Sequence, residues 1–198
     1  MHPDPSAPSR ERVWTVPNIL SLVRLALVPL FVVLSLRGAF AAAFFLFIGA
    51  AATDALDGWI ARRFDQRTRL GSFLDPAADK TMMVTTFIIY TLPLVATTHR
   101  LPPWLTGTVF LRDITIVIFA YLLYTRVRVK RFPPTIAGKI STILQVVALV
   151  ATIGANAFTA PWILPYLDVV YRATLVMTLY SGFSYIRKWD LELEGGAK

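Results

Sequence analysis

The sequence predicts an all-α integral membrane protein with six transmembrane helices and both termini in the cytosol. Of its 198 residues, 56% are hydrophobic and 16% are charged, whereas an average soluble domain has about 25% charged residues. Apolar stretches close to the ~20 residues that cross a bilayer as a helix recur along the chain. Basic residues are concentrated in alternate linkers between these stretches. A soluble enzyme, a disordered region and a fibrous repeat are therefore all disfavoured.

Short linkers with helix breakers separate the predicted spans. The breakers are Arg37-Gly38, Pro102-Pro103, Pro133-Pro134 and Pro161. The apolar runs are too long and too uniform for barrel strands, so each is expected to be a helix. The predicted spans are residues 16–36, 39–60, 74–94, 104–124, 136–158 and 162–186.

The basic residues also predict which side of the membrane each linker faces. With an even number of spans both termini lie on one side, and the linkers of the opposite side hold only Arg37 and Arg100. The side of the termini holds Arg10, Arg12, Arg62, Arg63, Arg67, Arg69, Arg126, Arg128, Lys130, Arg131, Lys139, Arg187, Lys188 and Lys198. We therefore expect an inner-membrane protein with a single domain, residues 13–188, between cytosolic polar tails at 1–12 and 189–198.

The charge balance and the residue types narrow the partners. The formal net charge is +8, and the cations bracket apolar stretches, which suits anionic lipid headgroups or phosphate-bearing substrates better than nucleic acid. The chain has no cysteine, which excludes disulfides, thiolate zinc sites and cysteine nucleophiles. The first apolar stretch is too long for a signal-peptide core, and we expect it to be a retained span.

Six of the twelve acidic residues lie in or against apolar spans. They are Asp54, Asp57, Asp75, Asp79, Asp113 and Asp168. A carboxylate at the bilayer centre costs at least about 2.5–3.5 kcal/mol unless it is paired, hydrated or bound to a cation. The first two aspartates are three residues apart and the next two are four apart, so each pair shares one helix face. The linker between them is short, so four carboxylates are expected to converge just inside the cytosolic boundary.

Such a cluster predicts a divalent-metal site. Uncompensated carboxylates would repel one another, and oxygen-only ligands favour magnesium or manganese, with two ions in the simplest arrangement. Sites of this kind stabilise charge during phosphoryl displacement. The alternative is that the aspartates form salt bridges with Arg62, Arg63 or Lys80. Small residues between the aspartates (Gly58 and Gly71) leave room for a ligand, although they also serve helix packing.

The pattern Asp-x2-Asp-Gly-x2-Ala-Arg-x8-Gly-x3-Asp-x3-Asp, residues 54–79, resembles the signature of the CDP-alcohol phosphotransferase family. The Pro17-Asn18…Arg24 opening of the first span is also similar to that family. The resemblance implies the family fold and a membrane enzyme that displaces CMP from CDP-diacylglycerol with an alcohol. It also implies a homodimer through the third and fourth spans. Gly107 and Thr108 would permit close packing there, although they could equally pack within one protomer.

The resemblance also assigns roles by position. Asp54, Asp57 and Asp75 match the metal-binding aspartates, and Asp79 matches the last aspartate, a general base that is also close to the metals. The nucleotide-binding positions are Asp54, Gly58, Ala61, Arg62, Gly71 and Asp75.

The acceptor alcohol is expected to be anionic. Its phosphate would meet Arg112, Lys139, Arg131 or Arg24, although Arg112 could instead form an ion pair with Asp113, and Arg24 could be structural. Residues 134–145 are similar to the two family branches that make anionic lipids, one from glycerol 3-phosphate and one from phosphatidylglycerol. The glycerol 3-phosphate branch usually has Arg-Glu in the fourth span. Arg112-Asp113 and the lead-in at 131–135 therefore favour phosphatidylglycerol, which gives cardiolipin. Inositol phosphate, serine, choline and ethanolamine are less favoured acceptors.

Two other classes would also explain acidic residues in a membrane. An intramembrane prenyltransferase uses aspartate pairs and magnesium, but it resembles a longer chain with two separated Asp-rich motifs. A channel or transporter needs a polar path to both faces, whereas the outer-side acids here amount to Asp168 alone. Both classes are therefore less favoured than the phosphotransferase.

Overall fold

Six α-helices make up the described part of the protein, which is a computed structural model. The backbone is described for residues 15–63, 69–126, 135–158 and 163–195, and the side chains for residues 15, 18–53, 77–122, 125, 135–158 and 163–187. The helices are α1 (Val16–Leu36), α2 (Phe40–Arg63), α3 (Arg69–Thr91), α4 (Pro103–Arg126), α5 (Ile136–Ala157) and α6 (Leu164–Gly195). Each predicted span coincides with one helix, so the all-α class is confirmed.

Several helix ends differ from the predicted span ends. α2 continues past residue 60 to Arg63, and α3 begins at Arg69 rather than at residue 74. α6 continues to Gly195, through residues expected to form a polar tail. Leu, Glu, Lys and Arg all have good helix propensities, so a helix does not stop where its hydrophobicity stops.

Within the described residues, three helical stretches are long and apolar enough to cross a membrane. They are Asn18–Leu36, Pro103–Leu122 and Ile136–Ala157, and α2 adds a shorter apolar stretch, Phe40–Thr53. Six spans and cytosolic termini therefore stay predictions.

A tight turn at Gly38 reverses the chain between α1 and α2. The φ angle of Gly38 is +72°, in the left-handed region that favours glycine. Its backbone N–H donates to Ser35 O at 3.1 Å, and the N–H of Ala39 donates to Leu34 O at 3.0 Å. These bonds close the end of α1 and allow α2 to pack back against it.

The helices pack in neighbouring pairs, and α1, α2, α3 and α5 all border the pocket described below. α1 packs against α2 and α3, α5 packs against α6 and α2, and α4 packs mainly against α6 and only lightly against α3. Because lipid is as apolar as these side chains, close van der Waals packing rather than transfer from water holds helices together in a bilayer. Large side chains in the core are Phe31, Phe87, Tyr90, Leu101, Leu105, Leu149 and Ile153.

Hydrogen bonds between side chains join neighbouring helices within this packing. The hydroxyls of Thr152 on α5 and Tyr171 on α6 are 2.7 Å apart and buried. The hydroxyls of Thr91 on α3 and Thr106 on α4 are 2.6 Å apart. Such partners matter for buried hydroxyls, because a buried polar group without a hydrogen bond costs free energy.

Asn156 fastens the α3–α4 connection to the end of α5. Its Oδ1 accepts a hydrogen bond from the backbone N–H of His99 at 3.0 Å, and its Nδ2 donates to His99 O at 2.7 Å. Nδ2 also donates to Thr152 O at 2.8 Å. One amide side chain therefore satisfies both backbone groups of a loop residue that has no helical partner.

We expect Asn156→Ala to lower the stability of the purified protein by about 1 kcal/mol, because polar contacts between membrane helices are modest in strength. For a chain of this size this corresponds to a decrease of about 2–4 °C in the thermal unfolding midpoint in detergent. Thr142→Ala is the matched control, since the Thr142 hydroxyl bonds only to Gly138 O of its own helix among the described contacts. Equal midpoints for the two variants would show that the Asn156 contact does not contribute to stability.

Candidate active site

Asp79 lies on α3 and is the one predicted metal-site aspartate with a described side chain. It is half-buried and lines an open pocket of about 290 Å³ between α1, α2, α3 and α5. The other lining residues include Arg24, Phe47, Ala50, Met83 and Val146. The pocket therefore joins a carboxylate to apolar walls, a setting in which electrostatic interactions are stronger than in water.

Arg24 supplies the positive charge of this pocket. It lies on α1 with only 2% of its surface exposed, and Asn18 and Ser21 are buried on the same helix. A buried guanidinium across a pocket from a carboxylate lowers the cost of both charges. This position is compatible with both predicted roles of Arg24, as a structural contact and as a phosphate ligand.

The backbone places the acidic motif on two consecutive helices, with residues 54–62 in α2 and 71–79 in α3. Side chains outside the described residues are those of Asp54, Asp57, Gly58, Ala61, Arg62, Gly71 and Asp75. Arg131 also lies outside the described residues. Where side chains are described, no group of three or more His, Asp or Glu residues could hold a metal ion. The convergence of the four aspartates thus stays a prediction.

A second group of polar side chains, the cation cluster, joins α3, α4 and α6. It consists of Lys80, Arg112, Asp113, Ser181 and Tyr185. Asp113 forms ion pairs with Lys80 Nζ through Oδ2 and with Arg112 Nη1 through Oδ1, the latter at 2.9 Å. Arg112 Nη2 donates to Ser181 Oγ at 2.7 Å, and its guanidinium lies 5.9 Å from the centre of the Tyr185 ring. One carboxylate therefore serves two cations.

The first turn of α5 packs against the guanidinium of this cluster. A Cβ added at Gly138 would lie 3.2 Å from Arg112 Nη2 and 3.2 Å from Thr135 Oγ1. Thr135 caps α5, since its Oγ1 accepts from the N–H of Gly138 at 3.1 Å. The N-terminus of a helix carries partial positive charge, and the exposed Lys139 follows directly. The surroundings of Arg112 therefore carry an excess of positive charge, which attracts an anion.

These contacts resolve some of the sequence-based alternatives and add residues that were not predicted. The Arg112–Asp113 ion pair is present, and Lys80 forms a described ion pair with Asp113. The alternative of salt bridges to the aspartates of the motif falls on side chains that, except for Asp79, lie outside the described residues. Ser181 and Tyr185 were not predicted as site residues. Their spacing of four residues on α6 places them on one face, but nothing in the sequence indicates that this face meets Arg112.

Asp168 and Arg172, four residues apart on α6, form an ion pair. Arg172 Nε lies 2.7 Å from Asp168 Oδ2, and the two side chains are 74% and 61% exposed. An ion pair with such high exposure contributes little to stability. It lies apart from the pocket and the cation cluster.

The chain is similar to known proteins over most of its length. The model of the family described as CDP-alcohol phosphatidyltransferase matches residues 14–180. A rat protein named cardiolipin synthase (CMP-forming) is 32% identical over 195 residues, which cover 89% of this chain and 62% of that protein. A CDP-diacylglycerol–glycerol-3-phosphate 3-phosphatidyltransferase of Aquifex aeolicus is 33% identical over 174 residues, 87% of this chain and 94% of that protein.

A third relative, named putative cardiolipin synthase, comes from Mycobacterium tuberculosis. It is 38% identical over 137 residues, which cover 68% of this chain and 62% of that protein. The chain thus spans about 62% of the length of these cardiolipin synthases. The family match begins before α1, includes the whole acidic motif and ends within α6. Together with the position of Asp79 at a pocket, this match establishes that the chain belongs to the CDP-alcohol phosphatidyltransferase family.

Proposed function

We propose that the protein is a membrane enzyme that transfers the phosphatidyl group of CDP-diacylglycerol to an alcohol and releases CMP. The observation that carries this proposal is the position of Asp79. This last aspartate of the family motif faces a pocket of about 290 Å³ that also contains the guanidinium-bearing Arg24. The family match over residues 14–180 supports the same activity.

The proposed reaction is an in-line displacement at phosphorus. The acceptor hydroxyl forms a bond to the lipid-side phosphorus of the diphosphate, while the bond from that phosphorus to the CMP oxygen breaks. Asp79 accepts the hydroxyl proton, so that the attacking oxygen is negatively charged as the new bond forms. The half-buried position of Asp79 at an apolar pocket limits the access of water, which would otherwise compete as the nucleophile.

We propose that Asp54, Asp57, Asp75 and Asp79 hold two divalent cations, Mg²⁺ or Mn²⁺. The donor set fits such ions because it is made only of carboxylate oxygens. Each pair has helical spacing within a helix that the structure describes, so its members share one face. When bound, the ions neutralise negative charge on the diphosphate and the leaving group.

The cytidine nucleotide is proposed to lie along the same two helices. Small residues let a flat base approach the helix backbone, and an arginine pairs with a phosphate. The proposed contacts are Asp54, Gly58, Ala61, Arg62, Gly71 and Asp75.

We propose phosphatidylglycerol as the acceptor, which gives cardiolipin, with glycerol 3-phosphate as the alternative. Relatives named for both activities support these two candidates. Arg112-Asp113 and the lead-in at 131–135 favour the first. Arg112 and Lys139 would raise the positive potential at the acceptor phosphate, with Arg131 and Arg24 as further candidates.

We further propose six spans, cytosolic termini and an active site that opens to the cytosol at the inner membrane. A homodimer through α3 and α4 is also proposed. The outer face of α4 supports it, since Leu111, Val117 and Tyr121 are each 67% exposed. Gly107 on the same helix has no atom within 4 Å of an added Cβ, which leaves space for a close neighbour.

We expect Asp79→Asn to reduce CMP release by about 100-fold to 10,000-fold, the range associated with general-base catalysis. The measurement is CMP release by purified protein with CDP-diacylglycerol and acceptor. Asp168→Asn, which changes the exposed ion pair on α6, is the matched control and should keep the wild-type rate. Undiminished release by the Asp79→Asn variant would exclude Asp79 as the base.

Removal of divalent cations with EDTA is expected to abolish CMP release, because the four carboxylates would then repel both one another and the diphosphate. Added Mg²⁺ or Mn²⁺ should restore activity, whereas Zn²⁺ should not, since zinc prefers nitrogen and sulfur ligands. An Asp75→Asn variant with full activity in chelator would contradict the metal site.

The acceptor is tested by supplying CDP-diacylglycerol with either phosphatidylglycerol in mixed micelles or glycerol 3-phosphate in solution. We expect faster CMP release with phosphatidylglycerol, and cardiolipin as the lipid product. Formation of phosphatidylglycerol phosphate at the higher rate would instead assign glycerol 3-phosphate. If neither acceptor supported CMP release, the proposed reaction with anionic acceptors would be wrong.

A further inference from the structure

We propose that Lys80 binds the phosphate group of the acceptor, next to the base Asp79. This inference rests on the phosphatidyltransferase activity proposed above. The ligand chemistry is a phosphate oxyanion linked through glycerol to the attacking hydroxyl. Phosphatidylglycerol and glycerol 3-phosphate share this chemistry, and the two arms of the test below distinguish them.

The two cations of the cation cluster, Arg112 and Lys80, differ in burial and in the number of their contacts. The Arg112 side chain is only 12% exposed, and its two terminal nitrogens already contact Asp113 and Ser181. Tyr185 lies against its plane, and Gly138 leaves just enough space for it. Arg112 therefore has little freedom to rearrange around a substrate. Its role is to fix Asp113 and to add positive potential.

Lys80 has the opposite character. Its side chain is 50% exposed, and its ammonium group contacts a carboxylate that it shares with Arg112. An ion pair of such an exposed lysine is weak, so an incoming phosphate can take the ammonium group at small cost. Since Asp113 is also bonded to Arg112, it stays neutralised when Lys80 moves to the phosphate.

The charge around Lys80 suits an anion. Within the cation cluster, the one negative charge of Asp113 faces two cations, which leaves one positive charge in excess among its members, whereas the carboxylate of the preceding residue, Asp79, belongs to the pocket. The N-terminus of α5 adds partial positive charge beside Arg112. A phosphate at Lys80 would balance this excess.

Lys80 also lies where an acceptor phosphate is needed. It directly follows Asp79, so the two Cα atoms are about 3.8 Å apart and the side chains point about 100° apart around α3. Asp79 lines the pocket, and Lys80 reaches towards α4. In both candidate acceptors, the attacking hydroxyl and the phosphate are at opposite ends of one glycerol unit. The hydroxyl could therefore meet Asp79 while the phosphate meets Lys80.

The first test is Lys80→Gln, assayed by CMP release with phosphatidylglycerol in mixed micelles and, separately, with glycerol 3-phosphate. We expect the KM for the acceptor to rise about tenfold or more, as for the loss of one charge-assisted contact. The kcat and the KM for CDP-diacylglycerol should change much less, and Lys80→Arg should restore most of the acceptor affinity. The acceptor with which the wild-type protein releases CMP identifies the source of the phosphate.

Asp113→Asn separates phosphate binding from a purely structural tie between α3 and α4. Both variants remove the same Lys80–Asp113 ion pair. If Lys80 binds the acceptor phosphate, Asp113→Asn should leave the acceptor KM unchanged or lower it, because the site loses a negative charge. An equal rise in the acceptor KM of both variants would show that only the tie matters, and the proposal would be overturned.

Controls keep the result interpretable. Arg172→Gln removes a cation from the exposed ion pair on α6 and should leave the acceptor KM unchanged. If thermal unfolding shows that the Lys80→Gln variant does not fold, the Lys80→Met variant is used in its place, because methionine keeps an unbranched aliphatic side chain without the charge. Wild-type protein that releases no CMP with either acceptor would contradict the proposed reaction with these anionic acceptors, on which this inference rests. Active wild-type protein with an unchanged acceptor KM in the Lys80 variants would refute this inference alone.

Discussion

A charged side chain beside hydrocarbon costs free energy unless an opposite charge or a hydrogen bond compensates it. The compensation of the Arg112 charge links α4 to α6, and the carboxylate that takes part in it also contacts α3. Arg112 lies on a helix whose outer face is strongly apolar, with Leu111 and Val117 each 67% exposed. Its guanidinium turns inward, where a carboxylate of its own helix and a hydroxyl of α6 receive it. Because α4 packs only lightly against α3, these polar contacts also help to set the position of α4.

α3 presents different chemistry to its neighbours on adjoining faces. The face with Asp79 borders a pocket walled by α1, α2 and α5, whereas the face with Lys80 meets α4. A single helix therefore brings a proton acceptor and an ammonium group together, and the rigidity of the helix keeps their spacing constant. This is the precision that a site gains when it is built on regular elements rather than on loops.

The sequence predicts this protein well where the pattern is local. Long apolar runs and helix breakers locate all six helices, and the fixed spacing of residues 54–79 identifies the family that the comparison confirms. The end of α6 was not predicted, because hydropathy does not register polar residues of good helix propensity. The contacts of Arg112 with Ser181 and Tyr185 depend on how α4 and α6 pack, and 69 residues separate the first pair in the chain. No local sequence pattern predicts a contact between residues so far apart in the chain.

The length of α6 has a mechanical consequence. Its 32 residues extend about 48 Å at 1.5 Å per residue, whereas the hydrocarbon core of a bilayer is about 30 Å thick. A straight α6 that crosses the membrane must therefore either lean steeply or protrude as a stalk by about 18 Å. In the second case, polar residues near Gly195 would lie outside the hydrocarbon, on the same continuous helix that carries Ser181 and Tyr185.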